Sequence, residues 1–296
     1  MFGLELKCMV EIHNDAQNPP GDFVSNENTT GSVQRILPPN FITSAIQKSE
    51  GSSEVKFLLA DSLADQILAR VRASLAPDPH ADHLLGDGYR VNSLYFDTAS
   101  LDVYHRFGSF GRRKFRLRRY GSEPRVFLER KSKARGLVRK RRTAVCETEL
   151  TALEAAKADP IWPGQWFHRR LVTRKLTPKT QLSYERIARV GMTPEGAIRF
   201  TVDRHIRCRA AAGLSVPCLV DGAAILTGQS IVEFKFRIAM PALFKNLIHE
   251  FAIAPGSVSK YRLSVEACGL NNGHRTEQVV ADGADAAVGT EAVRYA

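Results

Sequence analysis

Three segments that read as strands set a glutamate and a lysine two residues apart: Glu54-Val55-Lys56, Glu129-Arg130-Lys131 and Glu233-Phe234-Lys235. A β-strand sends alternate side chains to opposite faces, so each pair shares one face. Lys114, Arg116 and Arg118 likewise stand opposite Phe115 and Leu117, Lys140 and Arg142 share a face, and Asp203 and His205 oppose Val202 and Ile206. If these polar faces converge, they line a space with many cations and a few carboxylates. Charges so close repel unless a polyanion fills the space. Phosphate oxygens suit it, because each guanidinium gives forked, charge-assisted hydrogen bonds. The carboxylates are superfluous for phosphate alone. They suit Mg²⁺ or Mn²⁺, hard cations that prefer oxygen ligands and bridge phosphates.

The charge distribution sharpens this reading. The net charge is +11, yet residues 112 to 142 hold fifteen Lys or Arg against two acids, Glu123 and Glu129. That segment carries +13, which leaves −2 for the other 265 residues. One concentrated cationic segment implies an anionic partner and binding that weakens with salt. Nucleic acid is the usual partner of a basic patch. It is disfavoured here, because aromatic side chains are not expected to interleave on the basic face as stacking platforms would require. The five cysteines are dispersed and suggest neither a disulfide framework nor a zinc site. No apolar run approaches the roughly 20 residues of a membrane span, and no secretory signal is visible, so the expected location is the cytoplasm.

The elements that must position these residues are mostly strands. Strands are expected at Glu54 to Leu59, Tyr89 to Asp97, Arg112 to Tyr120, Arg125 to Lys133, Leu137 to Glu147, Gln181 to Val190, Ile198 to Arg209 and Ile231 to Arg237. A helix follows the first, capped by Asp61 or Ser62, with a stripe of Leu63, Ile67, Val71 and Leu75. Others are expected at Glu149 to Ala158, partly over Trp162 to Arg174, and at Ala242 to Ala252, with Pro241 as its first-turn proline. The expected fold is α+β, a closed antiparallel eight-stranded β-barrel with helices packed outside. Residues 1–45 and 271–296 lack a hydrophobic period and read as loosely attached tails flanking a domain over 46–270.

In this order along the chain, Val91-Asn92-Ser93-Leu94-Tyr95-Phe96-Asp97-Thr98, Arg116-Leu117-Arg118-Arg119-Tyr120-Gly121, Phe127-Leu128-Glu129-Arg130-Lys131, Tyr184-Glu185-Arg186, Val232-Glu233-Phe234-Lys235-Phe236 and Ser259-Lys260-Tyr261 resemble the VTC domain. That domain is the polyphosphate polymerase branch of the triphosphate tunnel metalloenzymes. The resemblance implies a tunnel in which the γ-phosphoryl group of ATP passes to a growing polyphosphate chain. Lys56, Arg116, Arg118, Lys131, Lys140, Arg186, Lys235 and Lys260 would hold phosphates, with Arg142 added by strand parity and Ser259 at the tunnel mouth. Arg116, Arg118, Lys131 and Glu233 would carry the transfer. Glu233 would be the main ligand for Mn²⁺ or Mg²⁺, with Glu129 a second candidate. No dedicated general base is evident, and none is needed for an acceptor phosphate that is already ionised.

One departure bears on activity. Hydrolase and cyclase branches of the superfamily usually open with Glu-x-Glu-x-Lys, where this chain has Ser52-x-Glu54-x-Lys56. One fewer carboxylate favours the polymerase-like branch. The alternatives are a triphosphatase of the same fold and a non-catalytic polyphosphate-binding module. If polymer is made into a membrane compartment, a separate membrane protein must supply the channel, with the enzyme peripheral to the membrane's inner face.

Overall fold

The computed structural model describes residues 52–271, apart from 82–84, 112, 135–136 and 158. The expected tails at 1–45 and beyond 271 lie outside the described residues. Ten strands form one antiparallel sheet. They are β1 (Ser53–Ala60), β2 (Ala76–Pro77), β3 (Gly88–Asp97), β4 (Arg113–Tyr120), β5 (Arg125–Ala134), β6 (Leu137–Cys146), β7 (Thr177–Thr193), β8 (Gly196–Ala210), β9 (Ala223–Ile225) and β10 (Gln229–Phe236). Eight of them make the main path, in the order β1-β10-β8-β7-β3-β4-β5-β6; β2 adds to β7 and β9 to β8.

The expected closed eight-stranded barrel is corrected in two respects: the sheet has ten strands among the described residues, and it is not closed, since no ladder joins β1 to β6. The two edge strands meet through a single bridge, Ser52 to Val138. The free edge of β1 is taken up by another segment, since the Gly256 N–H donates to the Lys56 carbonyl at 2.7 Å. A covering loop blunts an edge strand without extending the sheet.

The apolar faces point outward and are covered by helices. The first helix, α1 (Asp61–Arg72), has Ala60 at its capping position rather than the expected Asp61 or Ser62, and buries Ala64, Ile67, Leu68 and Val71. It packs with Phe57, Phe200, Val202, Val232 and Phe234. Phe244 of α4 (Ala242–Glu250) stacks on Phe234 at 4.4 Å. Pro241 occupies the capping position of α4 rather than its first turn. On the other flank, α3 (Gln165–Thr173) seats Phe167 against Phe96 and Phe115. The segment expected as a helix from Glu149 is a 3-10 turn over Glu147–Leu153.

Between β3 and β4, the short α2 (Asp102–His105) hangs on one carboxylate. Asp97, fully buried, accepts from the backbone N–H groups of Thr98, Val103 and Tyr104 and from the Tyr261 hydroxyl. Backbone donors without helical partners are thereby satisfied. The same carboxylate holds α5 (Lys260–Ala267) against the sheet interior, where Tyr261 stacks on Tyr95 and Ser264 bonds Thr180.

Candidate active site

The strand registers align the charged residues in rows across the interior face. Lys114, Lys131 and Lys140 form one row, and Arg116, Glu129 and Arg142 the next. Arg118 stands one row further, opposite Ser93 of β3. At about 3.4 Å per residue, Lys114 and Arg118 are about 14 Å apart along the strand, room for a chain of phosphates rather than one. Lys56 and Glu233 are paired across β1 and β10, as are Glu54 and Lys235.

Each carboxylate inside this space is tied to several cations. Glu129 Oε2 receives Arg116 Nε and Nη2, both at 2.7 Å, while Oε1 faces Lys140 at 2.6 Å and Arg142 at 3.4 Å. Burial alone would raise the Glu129 pKa, but Arg116, Arg118 and Lys140 outweigh it and hold the carboxyl well below its usual range. Glu233 meets Lys56 at 3.3 Å and Lys235 at 3.0 Å, and Glu54 meets Lys131 at 2.6 Å and Lys235 at 3.5 Å. Both stay ionised for the same reason. Asp203 receives both Arg186 nitrogens, at 2.5 and 2.7 Å, and Lys260 at 2.5 Å.

The lysines show the opposite strain. Burial first, then the charges of Lys56, Lys131 and Arg116, bring Lys114 down to about 7. Burial and neighbouring cations likewise bring Lys131 and Lys140 down to about 8, even with Glu54, Glu233 and Glu129 nearby. Lys56, beside Glu233 and Glu54, is instead held above its ordinary value. An interior that lowers the pKa of three of its lysines is short of negative charge, which a polyanion would supply.

The sequence-expected site residues thus come together: Lys56, Arg116, Arg118, Lys131, Lys140, Arg142, Arg186, Lys235 and Lys260 all face this space, with Glu129 and Glu233 among them. Ser259 caps α5 and also accepts from Lys114 Nζ at 2.8 Å. Several participants were not assigned roles by the sequence. Lys114 was placed on the inward face without a function, and Glu54 marked only a pattern. Asp203 was assigned only a polar face, yet it anchors Arg186 and Lys260. Tyr95 and Tyr184, fixed to Arg116 and Arg118 by hydroxyl contacts of 3.0 and 3.1 Å, became visible only across strands. The basic interior therefore does carry aromatics, against the sequence expectation: Arg142 lies over Tyr120 and Phe127 of β4 and β5, and Arg186 over Tyr184 of its own strand. His205 departs from its expected face. It sits at φ 52° beside a register shift between β7 and β8, and its exposed ring meets Glu185 at 2.8 Å. The αL conformation at this irregularity turns it away from Asp203.

Metal fit separates the two expected ligands. Glu129 has cations beside both oxygens, although Oε1 makes no hydrogen bond. Glu233 and Glu54 also have a lysine near each oxygen, but their side chains are about 8% and 10% exposed, against 1% for Glu129. Among the described residues, no group of three or more Asp, Glu, His or Cys side chains could hold a metal ion. A divalent ion with six or more oxygen ligands would thus need phosphate and water oxygens to complete its sphere.

A profile of the VTC domain matches residues 52–268. The chain belongs to the VTC-domain family. Comparison with curated proteins returned no match. Among solved structures, it is similar to a Bacillus halodurans protein described as a candidate adenylate cyclase, with 15% identity, 71% of this chain and 95% of that chain covered, and a TM-score of 0.44. It is also similar to a candidate adenylyl cyclase of Hippeastrum described as having a dominant triphosphatase activity, with 16% identity, coverage of 74% and 96%, and a TM-score of 0.42. A Pyrococcus horikoshii protein aligns at 12% identity over 72% of this chain and 96% of that one, with a TM-score of 0.39. No helix among the described residues is long and apolar enough to cross a membrane.

Proposed function

We propose that this chain is a metal-dependent polyphosphate polymerase that transfers the γ-phosphoryl group of ATP to a polyphosphate chain. The observation that carries the reading is the row arrangement: three successive tiers of cations along β4, with every interior carboxylate already held ionised by neighbouring Lys or Arg. Such tiers hold a chain of phosphates in line. A terminal oxygen of the acceptor chain attacks the γ-phosphorus, the bond to the β–γ bridging oxygen breaks, and ADP leaves with that electron pair. The acceptor oxygen is already ionised, so positioning and charge neutralisation suffice. Arg116, Arg118 and Lys131 would contact the transferred group, while Lys56, Lys140, Arg142, Arg186, Lys235 and Lys260 would hold the flanking phosphates. Mn²⁺ or Mg²⁺, held by Glu233 with Glu54, would supply further neutralisation of phosphate charge. The location would be cytoplasmic, with a separate membrane protein as channel if the polymer crosses a membrane.

Incubating the purified protein with ATP and Mn²⁺ and staining a gel for polyphosphate tests the proposal. Polymer that lengthens with time is expected. Release of free phosphate without polymer would refute it in favour of a triphosphatase. Polymer binding without turnover would leave only a binding module.

A further inference from the structure

A second group of cations lies on the outer face of the same strands. Arg130 of β5 and Arg141 of β6 are cross-strand partners on the face opposite Lys131 and Lys140. Arg113 begins β4 on that face, and α3 with the residue after it brings Arg170 and Arg174. Among the described residues, none of these five guanidiniums has a carboxylate within ion-pair distance. This contrasts with the interior, where each carboxylate lies within ion-pair distance of two or more cations. Burial, then Arg170, Arg113, Arg141 and Arg174, all push the Arg130 pKa down, and no acid opposes them. Arg130 Nε is buried without a hydrogen-bond partner.

The arrangement is braced. Arg141 lies 4.3 Å over the Trp166 ring, whose indole N–H donates to Thr143. Arg174 lies 5.0 Å over Phe110 and donates to Ser109 at 2.8 Å. Stacking fixes the guanidinium planes and leaves their edges free to donate. The group is also continuous with the tunnel. One cavity of about 1280 Å³ is lined by Lys56, Lys114 and Lys131 from the interior and by Arg113, Arg130 and Arg139 from the rim.

We propose that these outer arginines form a second phosphate-chain site, which takes up the length of a polyphosphate that extends out of the tunnel past the start of β4. The inference rests on the tunnel reading above and adds a track outside it. A chain short enough to lie within the tunnel would not touch this track, and a long chain would. The site would bind by charge and forked hydrogen bonds, so it should be strongly salt-sensitive.

The test compares tripolyphosphate with long-chain polyphosphate on the whole protein and on Arg170→Glu/Arg174→Glu, which alters the helix surface and leaves every interior residue in place. Arg130→Gln/Arg141→Gln serves as a second, neutralising variant in case reversal disturbs α3. Both variants should bind tripolyphosphate as the parent does, and long chains about tenfold more weakly with a shallower salt dependence. Unchanged long-chain affinity in both variants would overturn the outer track while leaving the tunnel reading intact. A parent protein that binds no tripolyphosphate would remove the tunnel reading, and this inference with it. Variants that lose binding of a DNA oligonucleotide but keep long polyphosphate would show the cluster to be a nucleic-acid site and refute the proposal.

Discussion

Glu129→Gln keeps the shape of a side chain and removes one charge from the middle of the cation rows. The native carboxylate, 1% exposed, is shared by Arg116, Lys140 and Arg142. An amide leaves these three cations without their counter-ion in a buried space. Breaking a buried pair by removing one partner costs about 3–5 kcal/mol. For a domain of this size 1 kcal/mol moves the midpoint by about 2–4 °C, so phosphate-free variant should melt about 6–20 °C lower than the parent. Tripolyphosphate returns negative charge to the same cations. A ligand present at about one hundred times its Kd adds about 2.7 kcal/mol of stability, and the variant should gain more than the parent because it starts with the larger charge excess. Calorimetric melting in phosphate-free buffer, with and without saturating tripolyphosphate, measures both effects. A variant that melts within about 2 °C of the parent without ligand would refute the counter-ion role. Equal ligand-induced gains in the two proteins would refute the charge-replacement argument.

Other outcomes follow from the same geometry. Glu233→Gln should abolish metal-dependent turnover yet keep polyphosphate binding, since it deletes an oxygen ligand and no cation; full activity in the gel assay would rule out the metal assignment. Arg118→Ala, which loses contacts to Ser93 and Tyr184, should weaken tripolyphosphate binding at least tenfold, while Arg119→Ala, which loses only a surface pair with Glu147, should change it by less than about twofold. Comparable titration-calorimetry losses at both positions would contradict the strand parity. Lys114, Lys131 and Lys140 are brought to about 7, 8 and 8 by burial and neighbouring cations, against 10.5 as the ordinary value. Between these values the unfolded chain holds more protons, so their contribution to stability rises with pH through that window. A bound polyanion raises the three pKa values, so binding near pH 8 should take up protons, seen as a binding enthalpy that depends on the buffer's ionisation enthalpy; no such dependence would count against the lowered lysines. Tyr261→Phe removes the hydroxyl bonded to Asp97 and should cost about 1–3 kcal/mol by denaturant titration, with α5 loosened before the sheet.

The inward charges were legible because period-two alternation is a local property. Phe115 and Leu117 mark the outer face of β4, and Lys114, Arg116 and Arg118 follow by parity. What alternation within one strand does not encode is the neighbour across the ladder. Asp203 meets Arg186 because β7 and β8 pair in one register, and it meets Lys260 because Asp97 tethers Tyr261 and so positions α5. Tyr95 belongs to the same class: it looks like a core residue in its own strand and becomes a guanidinium partner of Arg116 only once the strands are ordered. His205 was misplaced because a bulge breaks the alternation on which its reading relied. Closure of the barrel was misjudged because it depends on β1 and β6, whose edges carry no sequence signal for the loop that covers one of them.

That seam gives the wall one joint unlike the others. Seven strand boundaries are ladders of backbone hydrogen bonds, indifferent to the charge state of the interior. The eighth is a single bridge at Ser52, beside which Glu54 reaches Lys131 and the segment around Gly256 lies against β1 before leading to Ser259 and Lys260. A phosphate that draws Lys131 away from Glu54 removes an ionic clasp across this joint, and one that engages Lys260 pulls on the segment covering the edge. Under the proposed function, filling of the space would therefore act on this joint first. Backbone amide exchange along β1 and β6 would register this, while the ladders on the far side of the sheet stay silent.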